Sequence, residues 1–208
     1  MRNQTSQVMT QNNATPPASS ASASVGDAEP DSPSLSQGLT LDLDMRDARW
    51  QALEGDLRQQ AAFIWARLDP KAAMPEAEAC LVLADDGELA QMNESFRHKA
   101  GPTNVLSFPA LDFAAPVQSA QDLSGLPFAL LGDIVMSYDR LQAEAQAQGK
   151  TERAHALHLL THGLLHLLGY DHEIEPDANL MEGLESELLL AAGLANPYDE
   201  LVPSETEQ

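Results

Sequence analysis

The stretch "LHLLTHGLLHLLGYDHEIE", Leu157 to Glu175, places four of the chain's six histidines in its most apolar segment. Its leucines follow a helical pattern, and His162 and His166 are four residues apart. On a helix that spacing puts both rings on one face, one turn apart. Gly169 ends the helix, where a left-handed residue is commonly needed. The chain then turns through Tyr170 and Asp171 and presents His172. Three imidazoles thus converge on one point. Zinc accepts three protein nitrogens and keeps a fourth position for water, the arrangement of a catalytic site, whereas structural sites are usually closed by four protein ligands. A lone histidine here would read as a core residue satisfied by backbone carbonyls. Three at these intervals, with a glycine at the turn, read as metal ligands. His158 lies one further turn back on the same face. It fits either a group supporting the ligands or substrate, or a partly buried polar residue. His155 and His98 read as ordinary surface residues.

Outward from this helix, expected over Thr151 to Leu168, the chain divides into short elements. "LTLDLD" from Leu39 alternates apolar and polar residues, as a strand does. "DARWQALEGDLRQQAAFIWARL" carries Trp50, Leu53, Leu57, Ala61, Ile64 and Leu68 at helical spacing. Pro70 and Pro75 break that pattern before the buried strand "AEACLVLA". "DDGELAQMNESFRH" reads as a helix with Leu89, Met92 and Phe96 on one face, and "TNVLSF" as a strand between Pro102 and Pro109. Pro109, Pro116, Gly125 and Pro127 mark residues 109–127 as a loop. "FALLGDIVMS" is a further strand, and "YDRLQAEAQAQG" a helix closed by Gly149. Pro176 and Asp177 open a last helix that stops near Gly193. Leu180, Leu184 and Leu188 form its apolar face, which leaves Glu182, Glu185 and Glu187 on a solvated surface. Four strands interleaved with helices suggest an α/β or α+β domain around one mixed sheet, and the reading adopted is α+β, a mixed four-stranded sheet packed with helices, over residues 39–200. Residues 1–38 are rich in Ser, Ala, Asn, Gln and Pro without apolar periodicity, so a disordered extension is expected there. Residues 201–208 form a short tail.

Composition narrows the function. The chain has 208 residues, 43% of them hydrophobic, enough for one sizeable core. Its single cysteine, Cys80, excludes an intramolecular disulfide and any zinc site built on paired cysteines. In "ACLVLA" it reads as a small buried side chain. "MRNQTSQVMTQNN" lacks the apolar core of a secretory signal. The apolar run "LPFALLGDIVM" is short and contains Asp133, so it does not read as a membrane span. Both points favour the cytoplasm and no membrane partner. The net charge is −21, from 32 Asp and Glu against 11 Lys and Arg. Such a surface repels polyanions, which counts against a general nucleic-acid-binding protein.

The spacing from His162 to His172 equals that of the metzincin proteases, H-E-x-x-H-x-x-G-x-x-H, so a metzincin-like zinc helix and turn is expected. Gly163 replaces the protease glutamate that serves as general base on the zinc water. The cage looks protease-like and the chemistry does not, which argues against a zinc peptidase. The full string "HLLTHGLLHLLGYDH" resembles the signature of the YbeY family, the bacterial endoribonucleases of ribosomal RNA maturation. "MNESFRHKAGPTNVLSFP", "LLGDIVMS" and "LMEGLESELLLAAGLANPY" resemble further stretches of that family in the same order. The resemblance covers residues 39 to 200. Asn104 stands where the family's Thr-Asp-Val-Leu pattern has Asp, and the 109–127 loop looks long for the family.

The resemblance implies one zinc ion held by His162, His166 and His172, with Arg97 at the position of the family's catalytic arginine. A guanidinium suits a phosphate, whose oxygens it holds in two parallel hydrogen bonds. The implied activity is zinc-dependent, single-strand-specific endoribonuclease action in small-subunit rRNA maturation and ribosome quality control. Zinc would act on the scissile phosphate, and the nucleophile is either water or the substrate 2′-hydroxyl. The implied partners are ribosomal RNA, the immature or defective small ribosomal subunit, and a ribosomal protein or assembly GTPase for docking. A ribosome assembly factor with mainly structural zinc is the alternative. Arg97, Lys99, Arg140, Lys150 and Arg153 are expected to gather several of the few cations around the histidine cleft.

Overall fold

The computed structural model describes residues 38–68, 76–113, 116–117, 120–123 and 128–199. The expected N-terminal extension, apart from Gly38, and the C-terminal tail lie outside the described residues.

Strands β1 (Leu39–Met45), β2 (Ala77–Ala84), β3 (Val105–Pro109) and β4 (Ala129–Ser137) form one sheet in the order β1-β2-β4-β3. β1 pairs parallel with β2, β2 parallel with β4, and β3 antiparallel with β4. The sheet is therefore mixed, as expected. Helices α1 (Glu54–Leu68), α2 (Asp86–Arg97), α3 (Tyr138–Ala147), α4 (Glu152–Leu167) and α5 (Glu175–Ala191) complete the α+β fold. Asp85, Ser137 and Thr151 start α2, α3 and α4 by accepting a backbone N–H from the first turn.

Two sequence expectations change in detail. The helix expected from Asp47 begins as a 3₁₀ segment, Ala48–Leu53, before α1. Asp47 accepts the backbone N–H of Arg49 at 2.9 Å, and the indole N–H of buried Trp50 donates to the Ala84 carbonyl at 3.1 Å. The 109–127 loop contains a second 3₁₀ turn, Ala120–Leu123.

β4 is not a plain alternating strand. Ala129 and Leu131, then Ile134 and Met136, all join the main core, so the alternation changes phase between 131 and 134. The register against β2 slips at this point, where Ala79 pairs with Gly132. An extra residue in a strand produces this shift. Gly132 has φ +126, and a Cβ there would lie 2.2 Å from the Phe108 carbonyl oxygen. Only glycine fits.

The main core joins this sheet face to α1 and α4 through Leu57, Ile64, Leu81, Ile134, Leu160 and Leu164. A smaller cluster of Val82, Ala84, Leu89, Leu106 and Val135 packs α2 on the opposite face. α4 is buried along most of its length. Gly163 brings it onto β4: a Cβ there would stand 2.9 Å from Ile134 Cγ2. Gly163, where the metzincin sequence pattern has glutamate, is thus pressed against the sheet, and even a Cβ there would crowd Ile134. Cys80 is half-buried, not fully buried as expected, and burial pushes its thiol pKa up.

Candidate metal centre

α4 presents His162 and His166 on one face, and their Nε2 atoms are 3.0 Å apart. α4 stops where Gly169, at φ +85, reverses the chain beside Phe113. The backbone N–H of His172 donates to the carboxylate of the preceding Asp171 at 2.7 Å. The His172 ring then lies 5.2 Å from that of His162 and 5.0 Å from that of His166, centroid to centroid. One ring nitrogen from each of the three falls within 4.8 Å of the others. This cluster could hold a metal ion.

The surroundings prepare these nitrogens for a cation. His166 Nδ1 lies 3.0 Å from the Tyr170 carbonyl oxygen, which can only accept, so Nδ1 carries the hydrogen and Nε2 the lone pair. His162 Nδ1 faces a Glu185 carboxylate oxygen at 3.5 Å, with the same consequence. Two lone pairs then confront each other across 3.0 Å. Nitrogens on a tetrahedral zinc, with Zn–N near 2.0–2.1 Å, are about 3.3 Å apart. The donor set and spacing fit zinc. Burial, aided by the neighbouring His162 and His172, lowers the His166 pKa to about 4, so this ring is neutral at physiological pH.

Glu185 corrects the reading of α5. Its carboxylate is completely buried rather than solvated. The buried face of α5 is Met181, Glu185, Leu188 and Leu189, while Leu180 is exposed. The face is turned by one residue from the leucine stripe. Glu185 lies 3.0 Å from His158 Nε2 and accepts the Tyr198 hydroxyl at 2.5 Å. Burial pushes its pKa up, but the donors of His158, His162 and Tyr198 outweigh this and hold it at about 2. His158 is thus partly buried, and it meets the same carboxylate that faces His162. His155, expected at the surface, is also buried: its Nε2 lies 2.8 Å from Glu144. Asn104 donates to the same Glu144 oxygen at 3.0 Å. Burial raises the Glu144 pKa, and the contacts with His155 and Asn104 more than reverse it.

The three histidines open into a cleft of about 1080 Å³, also lined by Phe96, Arg97, Phe108 and Asp112. Arg97 is exposed at the last turn of α2 and makes no hydrogen bond or ion pair among the described residues. The wider basic patch does not form around this cleft. Arg140 pairs with Asp86 at 3.3 Å and Arg153 with Asp56 at 2.8 Å, while Lys150 donates to the Pro197 carbonyl. The two arginines are taken up by carboxylates and the lysine by a backbone carbonyl, and of the five expected cations only Arg97 lines the cleft. His98 is exposed, as expected, and takes the left-handed conformation that ends α2.

The family model for endoribonuclease YbeY matches residues 45–193. The chain belongs to the YbeY family. It is 43% identical over 168 residues to endoribonuclease YbeY of Ruegeria pomeroyi, covering 77% of this chain and 98% of that one. Endoribonuclease YbeY of a second Ruegeria species is 38% identical over 164 residues, covering 77% and 96%. That of Methylococcus capsulatus is 42% identical over 144 residues, covering 69% and 88%. The YbeY match spans every element that builds the histidine cluster and its cleft, from α2 to α5.

Proposed function

We propose that this chain is a zinc-dependent, single-strand-specific endoribonuclease that acts in small-subunit rRNA maturation and ribosome quality control. The observation that carries the reading is the cluster of three ring nitrogens within 4.8 Å, at a cleft that also holds Arg97, which has no ion-pair partner among the described residues. Family membership supplies the reaction class. His162, His166 and His172 would hold one zinc ion. Zinc bound there supplies Lewis-acid chemistry to a phosphoryl oxygen and acidifies water. The rest belongs to the chain. The Tyr170 carbonyl and Glu185 hold the tautomers of His166 and His162, and the turn through Asp171 delivers His172. Arg97 grips nonbridging phosphate oxygens and neutralises the charge that develops on them.

The metzincin-like spacing serves a different reaction here, because Gly163 is committed to packing on Ile134. Three ligands rather than four favour an open site over a structural one. Membership of the YbeY family supports action in the cytoplasm. No helix among the described residues is long and apolar enough to cross a membrane. The acidic surface implies that a ribosomal protein or assembly GTPase docks the enzyme on the small subunit.

The test is cleavage of single-stranded RNA by zinc-loaded protein beside His166→Ala and Arg97→Ala. Both substitutions are expected to abolish cleavage, and His166→Ala also to lose the metal. Activity that survives both would overturn the reading. The product ends assign the nucleophile: a 2′,3′-cyclic phosphate identifies the substrate 2′-hydroxyl. Tighter binding to immature small subunits than to naked RNA is expected, and equal affinity would remove the docking partner.

A further inference from the structure

Phe96 is 65% exposed, an unusual position for a phenyl ring on a chain whose other large apolar residues mostly enter the core. It occupies the last turn of α2, immediately before Arg97. Its ring meets Phe108 of β3 edge to face, with centroids 5.1 Å apart and planes at 66°. That contact sets the orientation of the ring and leaves most of its surface open. Both rings line the cleft that contains His162, His166, His172 and Arg97.

We infer that Phe96, braced by Phe108, is a stacking platform for one unpaired base of the RNA, beside the phosphate that Arg97 receives. The inference rests on the RNA-cleaving reading above and adds how the substrate is held. A nucleotide has two halves, an anion and a flat apolar ring. The cleft offers a match for each on consecutive residues, a guanidinium without an ion-pair partner among the described residues and an exposed phenyl ring. A protein partner would need the apolar surface but not its continuity with the histidine cluster. Bases inside a duplex are already stacked and cannot lie on a side chain, whereas unstacked bases of a single strand can. The platform would thus make single-strandedness a condition of binding. It would also let a chain of net charge −21 hold RNA with few phosphate contacts.

The test uses the full chain, zinc-loaded, with a single-stranded oligonucleotide carrying 2-aminopurine and 2′-O-methyl sugars, which block attack by the 2′-hydroxyl. Wild type is expected to change the 2-aminopurine fluorescence on binding, as stacking on a ring does. Phe96→Ala is expected to remove that change and to weaken binding by about fivefold to about a hundredfold, the range for loss of one base–aromatic stack. Phe96→Trp is expected to restore both. Metal content should be the same in all three proteins, which separates the platform from damage to the site. With cleavable RNA the loss should appear in KM more than in kcat. If Phe96→Ala leaves fluorescence and affinity unchanged while wild type cuts RNA, the platform falls and the ring belongs to a protein contact instead. If wild type stacks the probe through Phe96 but the loaded enzyme cuts no RNA, the endoribonuclease reading falls and the platform stands.

Discussion

Glu185 meets His158, His162 and Tyr198 with one carboxylate, although its own side chain has no access to solvent. Such a carboxylate behind a ligand orients the ring and raises its basicity, and its loss typically costs 10- to 100-fold in metal affinity. Glu185→Gln keeps the shape and is expected to weaken zinc binding by about that factor, read by chelator competition. Unchanged affinity would reduce Glu185 to packing. Acid sensitivity follows from the same residues. The folded His166 pKa of about 4 is below its ordinary value of 6.5, so the folded metal-free protein binds fewer protons than the unfolded chain between these values. It therefore loses stability as pH falls from 6.5 to 4. Glu185, held at about 2 against 4.5, adds a second loss as pH falls below 4.5. The Tm of the metal-free protein is expected to drop across pH 6.5 to 4, on the order of 5 °C, and less in His166→Ala. The histidines were legible because i, i+4 spacing and a glycine turn fix their geometry by themselves. Glu185 was not, because a leucine stripe predicts which face of a helix is buried only until polar partners elsewhere in the chain outbid it. The partners of Glu185 come from α4 and from Tyr198, beyond the end of α5.

At the scale of the element, α4 approaches β4 closely enough that the three atoms nearest to a Cβ at Gly163 all belong to Ile134. Ala is the better helix former by about 1 kcal/mol. Gly163→Ala is nevertheless expected to destabilise the fold, because its Cβ would meet Ile134 Cγ2 at 2.9 Å and overpacking costs about 1–3 kcal/mol. Adding Ile134→Val removes Cδ1, the next atom in the way at 3.0 Å, and should recover part of the loss in denaturant unfolding. Additive effects of the two substitutions would contradict the close approach. Each strand and helix was visible in the sequence because its apolar period and its caps are local. The bulge at Gly132 was hidden, because it is required by the Phe108 carbonyl on a neighbouring strand. The same holds for the 3₁₀ start at Ala48–Leu53, which Trp50 stabilises by donating to the distant Ala84 carbonyl.

At the scale of the molecule, a guanidinium without an ion-pair partner among the described residues, that of Arg97, faces the cleft of a chain with net charge −21. Net charge was readable from composition, but the placement of cations was not, because abundant carboxylates on adjoining elements claim Arg140 and Arg153 first. Few phosphates can be neutralised, so binding of naked single-stranded RNA should depend only weakly on salt. With a slope of about −0.7 per phosphate contact, a log–log slope of magnitude below about 2 is expected. A much steeper slope would point to a basic surface beyond Arg97. The account as a whole depends on three elements of the chain, the face of α4, the Gly169 turn and α5 behind them, delivering three nitrogens to one ion. X-ray absorption spectroscopy of the zinc-loaded protein measures this directly. The expected spectrum has three nitrogen neighbours at about 2.0–2.1 Å plus one exchangeable oxygen, at one ion per chain, and loses its imidazole scattering in His166→Ala. A sulfur neighbour, a closed shell of four protein ligands, or a protein that retains no zinc would contradict it.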